Sequence, residues 1–390
     1  MRIYGGFHMT RSLSKLFQNP APNIMSDIGK NAALMTDVIN LSIGDPDMTT
    51  PAPILNAAEE ALAAGKTHYT ASDGDPEYLE SIINFYQKKF NLTYAKENVR
   101  ATVGAGHATF LAFGAILNPD DEVIIFAPYF SPYEVQIEAH HGKVVVVNCT
   151  AENNFQPTKA DIAAAITDKT KAILVNTPNN PTGAVYDQET LQALADLAKE
   201  HDIYLLADEV YWPFVYGDND FVPLEALAPE HTLVTGSLSK VFAMTGFRIG
   251  YLIGPADVVA AAGLLNEGID FSAPSVSQAA GAYGLQHIDE ITPALKAQFG
   301  ERLEYVATEL NKLPWLNILP VAGSIYLFAD ISATGMDDIK FSNYLLEQAG
   351  VLVIPGQAFG DAGKGYIRIA VTQDMATLEK AVQAFSKLSF

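Results

Sequence analysis

The residues able to do chemistry gather where short apolar runs end. The run Ile203–Ala207 stops at Asp208-Glu209-Val210-Tyr211. An acid at the buried end of an apolar strand is costly unless something pairs with it, and a protonated heterocyclic nitrogen would do so. The run Thr232–Thr235 leads into Gly236-Ser237-Leu238-Ser239-Lys240, and Thr245-Gly246-Phe247-Arg248 follows. Ser237 and Ser239 can bind an anion, to which Arg248 adds a full charge on a two-pronged head. A nearby guanidinium and partial desolvation would favour the neutral amine of Lys240, the form that attacks a carbonyl. After Val99–Val103, the turn Gly104-Ala105-Gly106-His107-Ala108 opens an apolar helix, whose free backbone N–H groups suit a phosphate. After Ala172–Val175 comes Asn176-Thr177-Pro178-Asn179-Asn180-Pro181-Thr182-Gly183, a loop stiffened by its prolines that offers the Asn180 amide.

Each string alone has an ordinary structural explanation. Asp208 can cap a helix, His107 can simply start one, the Asn-Pro loop can be a strand-to-helix turn, and Ser-x-Ser-Lys can be a solvated turn. The set, in this order along one chain, is hard to sustain as coincidence.

The elements that must position these groups alternate in type. Glu122–Phe126, Val144–Val147, Ala172–Val175, Ile203–Ala207 and Thr232–Thr235 have the length and β-branched content of buried strands. Ala-rich stretches with helical spacing, such as Lys159–Ala165 and Glu189–Glu200, lie between them. Strands separated by helices imply right-handed crossovers and a mainly parallel sheet covered on both faces, with ligands beyond the carboxyl ends of the strands. After Gln278 the texture changes. A long helical stretch, Ile291–Leu313, precedes the strand-like pieces Ser324–Ala329, Val351–Ile354 and Tyr366–Val371, which predict a second, smaller α+β domain completed by the N-terminal residues. A chain of 390 residues fits two such units better than one core.

Taken together, the strings resemble the class I/II aminotransferases of the aspartate aminotransferase fold type, from about Leu41 to Phe385. The specific elements are NNPTG, DEVY and S-x-S-K followed by Arg248 eight residues on. The resemblance implies an α/β fold with a mostly parallel seven-stranded sheet in a large domain, residues 47–285, and a small α+β domain from residues 1–46 and 286–390. It implies pyridoxal 5'-phosphate as cofactor, carried by Lys240 as a Schiff base, with Lys240 also shuttling the proton. Asp208 would pair with the pyridine nitrogen and keep the ring an electron sink. Asn180 and Tyr211 would hydrogen-bond the phenolic oxygen. Ala105, Gly106 and His107, through backbone amides, would hold the phosphate with Ser237, Ser239 and Arg248. Phe130 stands where many relatives have a stacking Trp, so the stacking stays while the indole N–H is lost. Arg368, in Gly365-Tyr366-Ile367-Arg368, would grip the substrate α-carboxylate, and Gly44 would close over the substrate. Tyr69 would reach the phosphate of a neighbouring subunit, which makes the enzyme a homodimer with shared sites.

The chain also departs from the family pattern. Gly74-Asp75-Pro76-Glu77-Tyr78-Leu79-Glu80 stands where relatives read GxPELR, and Ile249–Gln286 contains no lysine or arginine. The aspartate-specialised branch carries an arginine for the second carboxylate in that stretch; here Asp270 and Phe271 occupy it. The resemblance thus implies transamination between an L-amino acid, aromatic or otherwise neutral, and an α-keto acid such as 2-oxoglutarate. Phe130, Tyr133 and Phe271 are candidates to meet an apolar side chain, and Arg11 or Lys15 could supply a cation from the N-terminal segment. Alternatives on the same fold are an aspartate aminotransferase and a β-eliminating carbon–sulfur lyase.

Composition narrows the class further. The formal charge of −21 repels nucleic acid and anionic lipid, which argues against a DNA-binding regulator built on the same scaffold. No apolar run approaches the roughly 18–20 residues of a membrane helix. Cys149 is the only cysteine, so no disulfide forms within the chain and no thiolate metal cage is available. The expectation is a cytoplasmic enzyme without a metal.

Overall fold

The computed structural model describes residues 12–18, 24–33 and 35–390. In chain order, the elements that matter for the site begin with α1 (Ile24–Ala32), β1 (Val99–Thr102), α2 (Ala105–Ile116), β2 (Glu122–Ala127), α3 (Pro132–Ala139) and β3 (Lys143–Asn148). Next come β4 (Thr170–Asn176), α4 (Gln188–His201), β5 (Tyr204–Asp208), β6 (Thr232–Ser237), the single-turn α5 (Leu238–Val241), β7 (Gly250–Ile253) and α6 (Ala256–Glu267). The remainder holds α7 (Ile288–Leu310), β8 (Asn317–Ile318), β9 (Tyr326–Asp330), β10 (Ile354–Pro355) and β11 (Tyr366–Ala370).

Seven strands form one sheet in the order β1-β7-β6-β5-β4-β2-β3. Its pairings are parallel from β6 through β5, β4 and β2 to β3, whereas β7 runs antiparallel to both β6 and β1. Helices cover both faces, which is why these strands read as unbroken apolar runs rather than alternating ones. On one face Ile124, Ile173 and Leu205 pack with Leu191 and Leu194 of α4; on the other Leu174, Leu206 and Leu233 pack with Leu111 and Ala112 of α2. Each such fully buried aliphatic side chain contributes about 1.5–3 kcal/mol.

Register sets the site. Asn176 lies beside Asp208 across β4 and β5, and Asp208 lies beside Thr235 across β5 and β6. Three chain segments far apart in sequence therefore deliver their last residues to one edge of the sheet.

A second sheet, β10-β11-β9-β8, is antiparallel, and Arg368 in β11 sits opposite Phe328 of β9 and Ile354 of β10. Its core joins Phe299 and Leu303 of α7 to Phe341, Ile367 and Ile369, and takes in Leu41 from the N-terminal side. The predicted helix Ile291–Leu313 is observed three residues earlier. The side chain of Asn311 ends it by accepting from Ile318 N at 2.7 Å and donating to Ile318 O at 3.0 Å. The predicted strand Val351–Ile354 divides: Val351–Leu352 pairs in parallel with Ile39–Asn40, and Ile354–Pro355 joins the antiparallel sheet. The antiparallel β7, short and flanked by glycines, was not among the strands predicted. No helix among the described residues is long and apolar enough to cross a membrane.

Candidate active site

At the carboxyl edge of β4, β5 and β6 opens a cavity of about 420 Å³, bounded on its far side by β9 and β11. Asp208 forms one wall. It is buried, and no cation among the described residues is bonded to it; its Oδ2 accepts from the Tyr133 hydroxyl at 2.5 Å and its Oδ1 from Val210 N at 3.3 Å. Burial pushes its carboxyl up to about 6, while those two hydrogen bonds pull the other way. A buried carboxylate with two donors and no counterion is suited to a protonated base in the cavity.

The opposite end is an anion cradle. Gly104 has φ +79°, and a Cβ there would lie 2.9 Å from Arg248 Nη2, so glycine lets the guanidinium close over the turn. Ala105 and Gly106, in the first turn of α2, line the cavity, where helix-start N–H groups have no carbonyl partner within the helix. Ser237 and Ser239 lie across from them, and Ser237 Oγ caps α5 by accepting from Ser239 N at 3.1 Å. Arg248 Nη1 donates to Thr245 O at 3.0 Å, which leaves its other N–H groups to face an anion.

Lys240 reaches the cavity from α5, and its Nζ donates to the carbonyl of Gly44. Gly44 itself lies against the Tyr326 hydroxyl so closely that any side chain there would collide with it.

The third corner is cationic and buried. Arg368 Nη1 donates to Asn180 Oδ1 at 2.9 Å, its other terminal nitrogen donates to the Ser42 carbonyl, and its Nε has no partner. The guanidinium lies over the rings of Tyr326, at 4.5 Å, and Phe359, at 4.8 Å. No carboxylate among the described residues bonds to it, so a charge-assisted pair is left for an incoming anion. With its carbonyl turned to Arg368 and its backbone N–H on Asn176 Oδ1 at 2.9 Å, Asn180 keeps its NH₂ group as a donor. Tyr211 lines the same space and meets the Tyr326 hydroxyl at 3.1 Å.

Thus Gly44, Ala105, Gly106, Phe130, Asn180, Asp208, Tyr211, Ser237, Ser239, Lys240, Arg248 and Arg368 converge on one cavity. Two of the predicted residues do not line it. The His107 ring turns back, accepting from Val103 N at 3.0 Å with Asp270 3.7 Å away. Tyr69 stands 83 % exposed, edge-on to Phe271 at 5.4 Å. Phe271 is outside the cavity as well, and the Tyr133 hydroxyl is committed to Asp208 rather than to an apolar side chain. Arg11 lies outside the described residues, and for Lys15 only the backbone, in a short helix, is described. Residues not singled out in the sequence include Tyr326, Gln136, Met25 and Ile43. Tyr326 had no local signal, since it reads as one more aromatic in a strand until β9 is folded against Tyr211.

The sequence profile of the family described as aminotransferase class I and II matches residues 36–385. The chain is 38% identical to an aspartate aminotransferase from Pyrococcus horikoshii over 93% of its own length and 92% of the relative's. The structure of an aspartate aminotransferase from Thermus thermophilus with maleate superposes with a TM-score of 0.92 at 35% identity, covering 97% of this chain and all of that one. An aromatic aminotransferase from Pyrococcus horikoshii superposes with a TM-score of 0.88 at 32% identity, covering 93% and 98% of the two chains.

Proposed function

The chain belongs to the class I and II aminotransferases, and from that premise we propose that it moves amino groups from neutral or aromatic amino acids to an α-keto acid such as 2-oxoglutarate with pyridoxal 5'-phosphate held in the cavity. Transamination is the activity of the family; the cofactor, the residue roles and the donor class are the proposal. The observation that carries it is the convergence on one cavity of three complementary groups: the anion cradle at Arg248, the cation-seeking carboxylate of Asp208 and the amine of Lys240. These features fit a planar, phosphate-bearing pyridine. When bound, the cofactor supplies the carbonyl that takes the amino group and the ring that accepts the electrons left when the substrate Cα–H is broken.

The chain's own residues do the rest. Ala105 and Gly106 amides, followed by that of His107, bind the phosphate with Ser237, Ser239 and Arg248. Asp208 holds a proton on the ring nitrogen, Asn180 and Tyr211 donate to the phenolic oxygen, and Phe130 covers a ring face. Arg368 binds the substrate carboxylate, which every amino acid presents, and Gly44 leaves room beside Tyr326 for closure. Lys240 takes the Cα proton and returns it, since it is the one amine among the described basic side chains that line the cavity, the other two being guanidiniums.

Donor choice follows from the count of charges. Among the described residues the basic side chains lining the cavity are Lys240, Arg248 and Arg368, each already assigned, and Ile249–Gln286 supplies no other. A distal carboxylate would be buried without a partner, whereas Met25, Ile43, Phe130 and Tyr326 offer apolar walls. A second reading, aspartate as donor, is favoured by the name of the Pyrococcus horikoshii relative. The residues 47–285 are read as the cofactor-binding unit and 1–46 with 286–390 as the other, supported by the second, antiparallel sheet, whose strands all come from the C-terminal part. The compartment is read as cytoplasmic, supported by the single, buried cysteine.

The test has two parts. Borohydride treatment of the yellow protein should fix the cofactor on Lys240 in a peptide map; a label elsewhere, or none, defeats the assignment. In half-reactions, kcat/KM for phenylalanine, tyrosine, methionine or alanine should exceed that for aspartate, and an aspartate preference of about tenfold would decide for the second reading. Accumulation of pyruvate, ammonia and a free thiol from cysteine S-conjugates instead of transfer would point to the eliminating alternative.

A further inference from the structure

Among the described residues Tyr133 is the one buried hydroxyl bonded to Asp208, and the function above gives it no role. It rises from the first turn of α3, is 2 % exposed, and donates to Asp208 Oδ2 at 2.5 Å. Its ring meets Phe130 edge-on at 5.5 Å, so the residue covering the cofactor face and the residue holding Asp208 form one packed unit three positions apart. We propose that Tyr133 is a positioning residue that keeps Asp208 ionised and aimed at the ring nitrogen, and so sets how much of the shared proton rests on the ring. The inference builds on the reading that pyridoxal phosphate occupies this cavity.

The physical argument is a competition for one proton. Asp208 and the pyridine nitrogen are two bases with a single proton between them. A hydrogen bond donated to the carboxylate stabilises its anionic form and leaves the proton on nitrogen. Without the Tyr133 O–H, the only remaining donor to the carboxylate is Val210 N, at the longer distance of 3.3 Å. The carboxyl then becomes more basic, the N–H bond breaks, an O–H bond forms on Asp208, and the ring is left neutral and a poorer electron sink. Tyr133 cannot itself ionise in the working range, because burial and the adjacent Asp208 hold its pKa well above the ordinary tyrosine value. The other titratable groups bearing on the pair are Tyr186, ahead of α4, which acts on Tyr133, and Glu209 and Tyr211, on Asp208's own segment. Lys240 and Arg368 face the same cavity from α5 and β11. None of these bonds the Asp208 carboxylate, so the tyrosine hydroxyl is its one side-chain donor among the described residues.

The experiment loads wild type, Tyr133→Phe, Asp208→Asn and the double variant with pyridoxal phosphate labelled with ¹⁵N in the ring. Tyr133→Phe retains the ring that packs on Phe130, and a melting curve checks each fold. Three results are expected for Tyr133→Phe. The ring ¹⁵N resonance moves toward the neutral-pyridine position. The pH at which that resonance titrates shifts by about one to two units, the scale of a hydrogen bond to a buried charge. The value of kcat falls about tenfold or more while KM for the amino donor changes less than about twofold. In the Asp208→Asn background the same change should have almost no further effect, because its target is gone. An unshifted ¹⁵N resonance and titration in well-folded Tyr133→Phe would overturn the proposal, as would an equal effect with and without Asp208. Wild type that carries no cofactor on Lys240 would instead overturn the underlying reading, and the proposal with it. If Tyr133→Phe fails to fold, 3-fluorotyrosine at position 133 keeps the ring and makes its hydroxyl a stronger donor; a ring resonance that titrates at higher pH would support the role, while an unchanged one would overturn it.

Discussion

Glu209 and Glu225 sit just behind Asp208, 4 % and 2 % exposed, with Glu209 accepting from Leu224 N at 3.2 Å and both Glu225 oxygens lacking any donor. Burial holds both carboxyls above the ordinary range, Glu225 at about 7, and repulsion from Glu225 adds to the rise at Glu209. The folded protein therefore keeps protons that the unfolded chain, with a carboxyl near 4.5, has released. The sign follows: stability from this pair is fully present below about pH 4.5 and is lost as pH rises through about 7. Glu225→Gln removes the ionisation but keeps the shape. Its melting temperature should match wild type near pH 5 and exceed it at pH 8.5, by an effect of up to about 3 kcal/mol. Asp208, raised to about 6 by the same burial, contributes equally to both proteins and cancels in the comparison. Parallel melting curves across pH would show that Glu225 does not hold the proton. The segment Asp208–Tyr211 thus carries two acids that differ by use: one has donors and opens on the cavity, the other is sealed behind it.

At the scale of elements, the work is done by turns rather than by strands or helices. The strand β1 ends in Thr102, and Gly104 at φ +79° swings the chain so that α2 starts with its N–H groups toward the cavity. A Cβ at Gly104 would meet Arg248 Nη2 at 2.9 Å, and Arg248 is itself held at φ 51° at the end of a short 3₁₀ turn. Gly104→Ala should therefore weaken binding of pyridoxal phosphate, by about tenfold, the scale of a left-handed residue given a side chain. Turnover at saturating cofactor should change much less, since Asp208, Lys240 and Arg368 lie on other elements. Absorbance titration of the cofactor-free protein measures this, and a dissociation constant within twofold of wild type would remove the turn from the anion cradle.

The whole molecule leaves large apolar side chains exposed outside its cavity. Tyr69 and Phe271 pack together in the open, and Leu264 and Ile269, a few residues before Phe271, are 76 % and 50 % exposed. A second copy of the chain is the proposed cover, with Tyr69 reaching the partner's phosphate, since Tyr69 does not line the cavity of its own chain. Lys240→Ala and Tyr69→Phe damage opposite contributions to such a site. Equal mixing after subunit exchange should restore up to roughly a quarter of wild-type activity, because half the dimers are hybrids with one intact site each. No recovery after verified exchange, or a fully active monomer on sizing, would refute sharing.

The sequence by itself determined the strand ends. Asp208, Asn180, Ser237 and Lys240 were legible because a buried parallel strand must be an unbroken apolar run, so the first polar residue after it marks the functional edge. The same logic placed six of the seven strands of the sheet within a residue or two. It missed β7, whose antiparallel insertion between β1 and β6 follows from pairing, not from local pattern. What only tertiary structure decided are the groups whose meaning depends on a distant partner. Arg368 in an apolar strand reads equally well as an edge residue; folding β11 against the NNPTG loop puts it 2.9 Å from Asn180, 188 residues away. Tyr133 reads as an aromatic for substrate packing, and the crossover from β2 turns its hydroxyl onto Asp208 instead. His107 reads as part of the phosphate turn, yet its ring faces Val103 and Asp270 while only the backbone remains for the anion. Side-chain direction on a helix start is set by what the neighbouring elements leave open, and that information is not local.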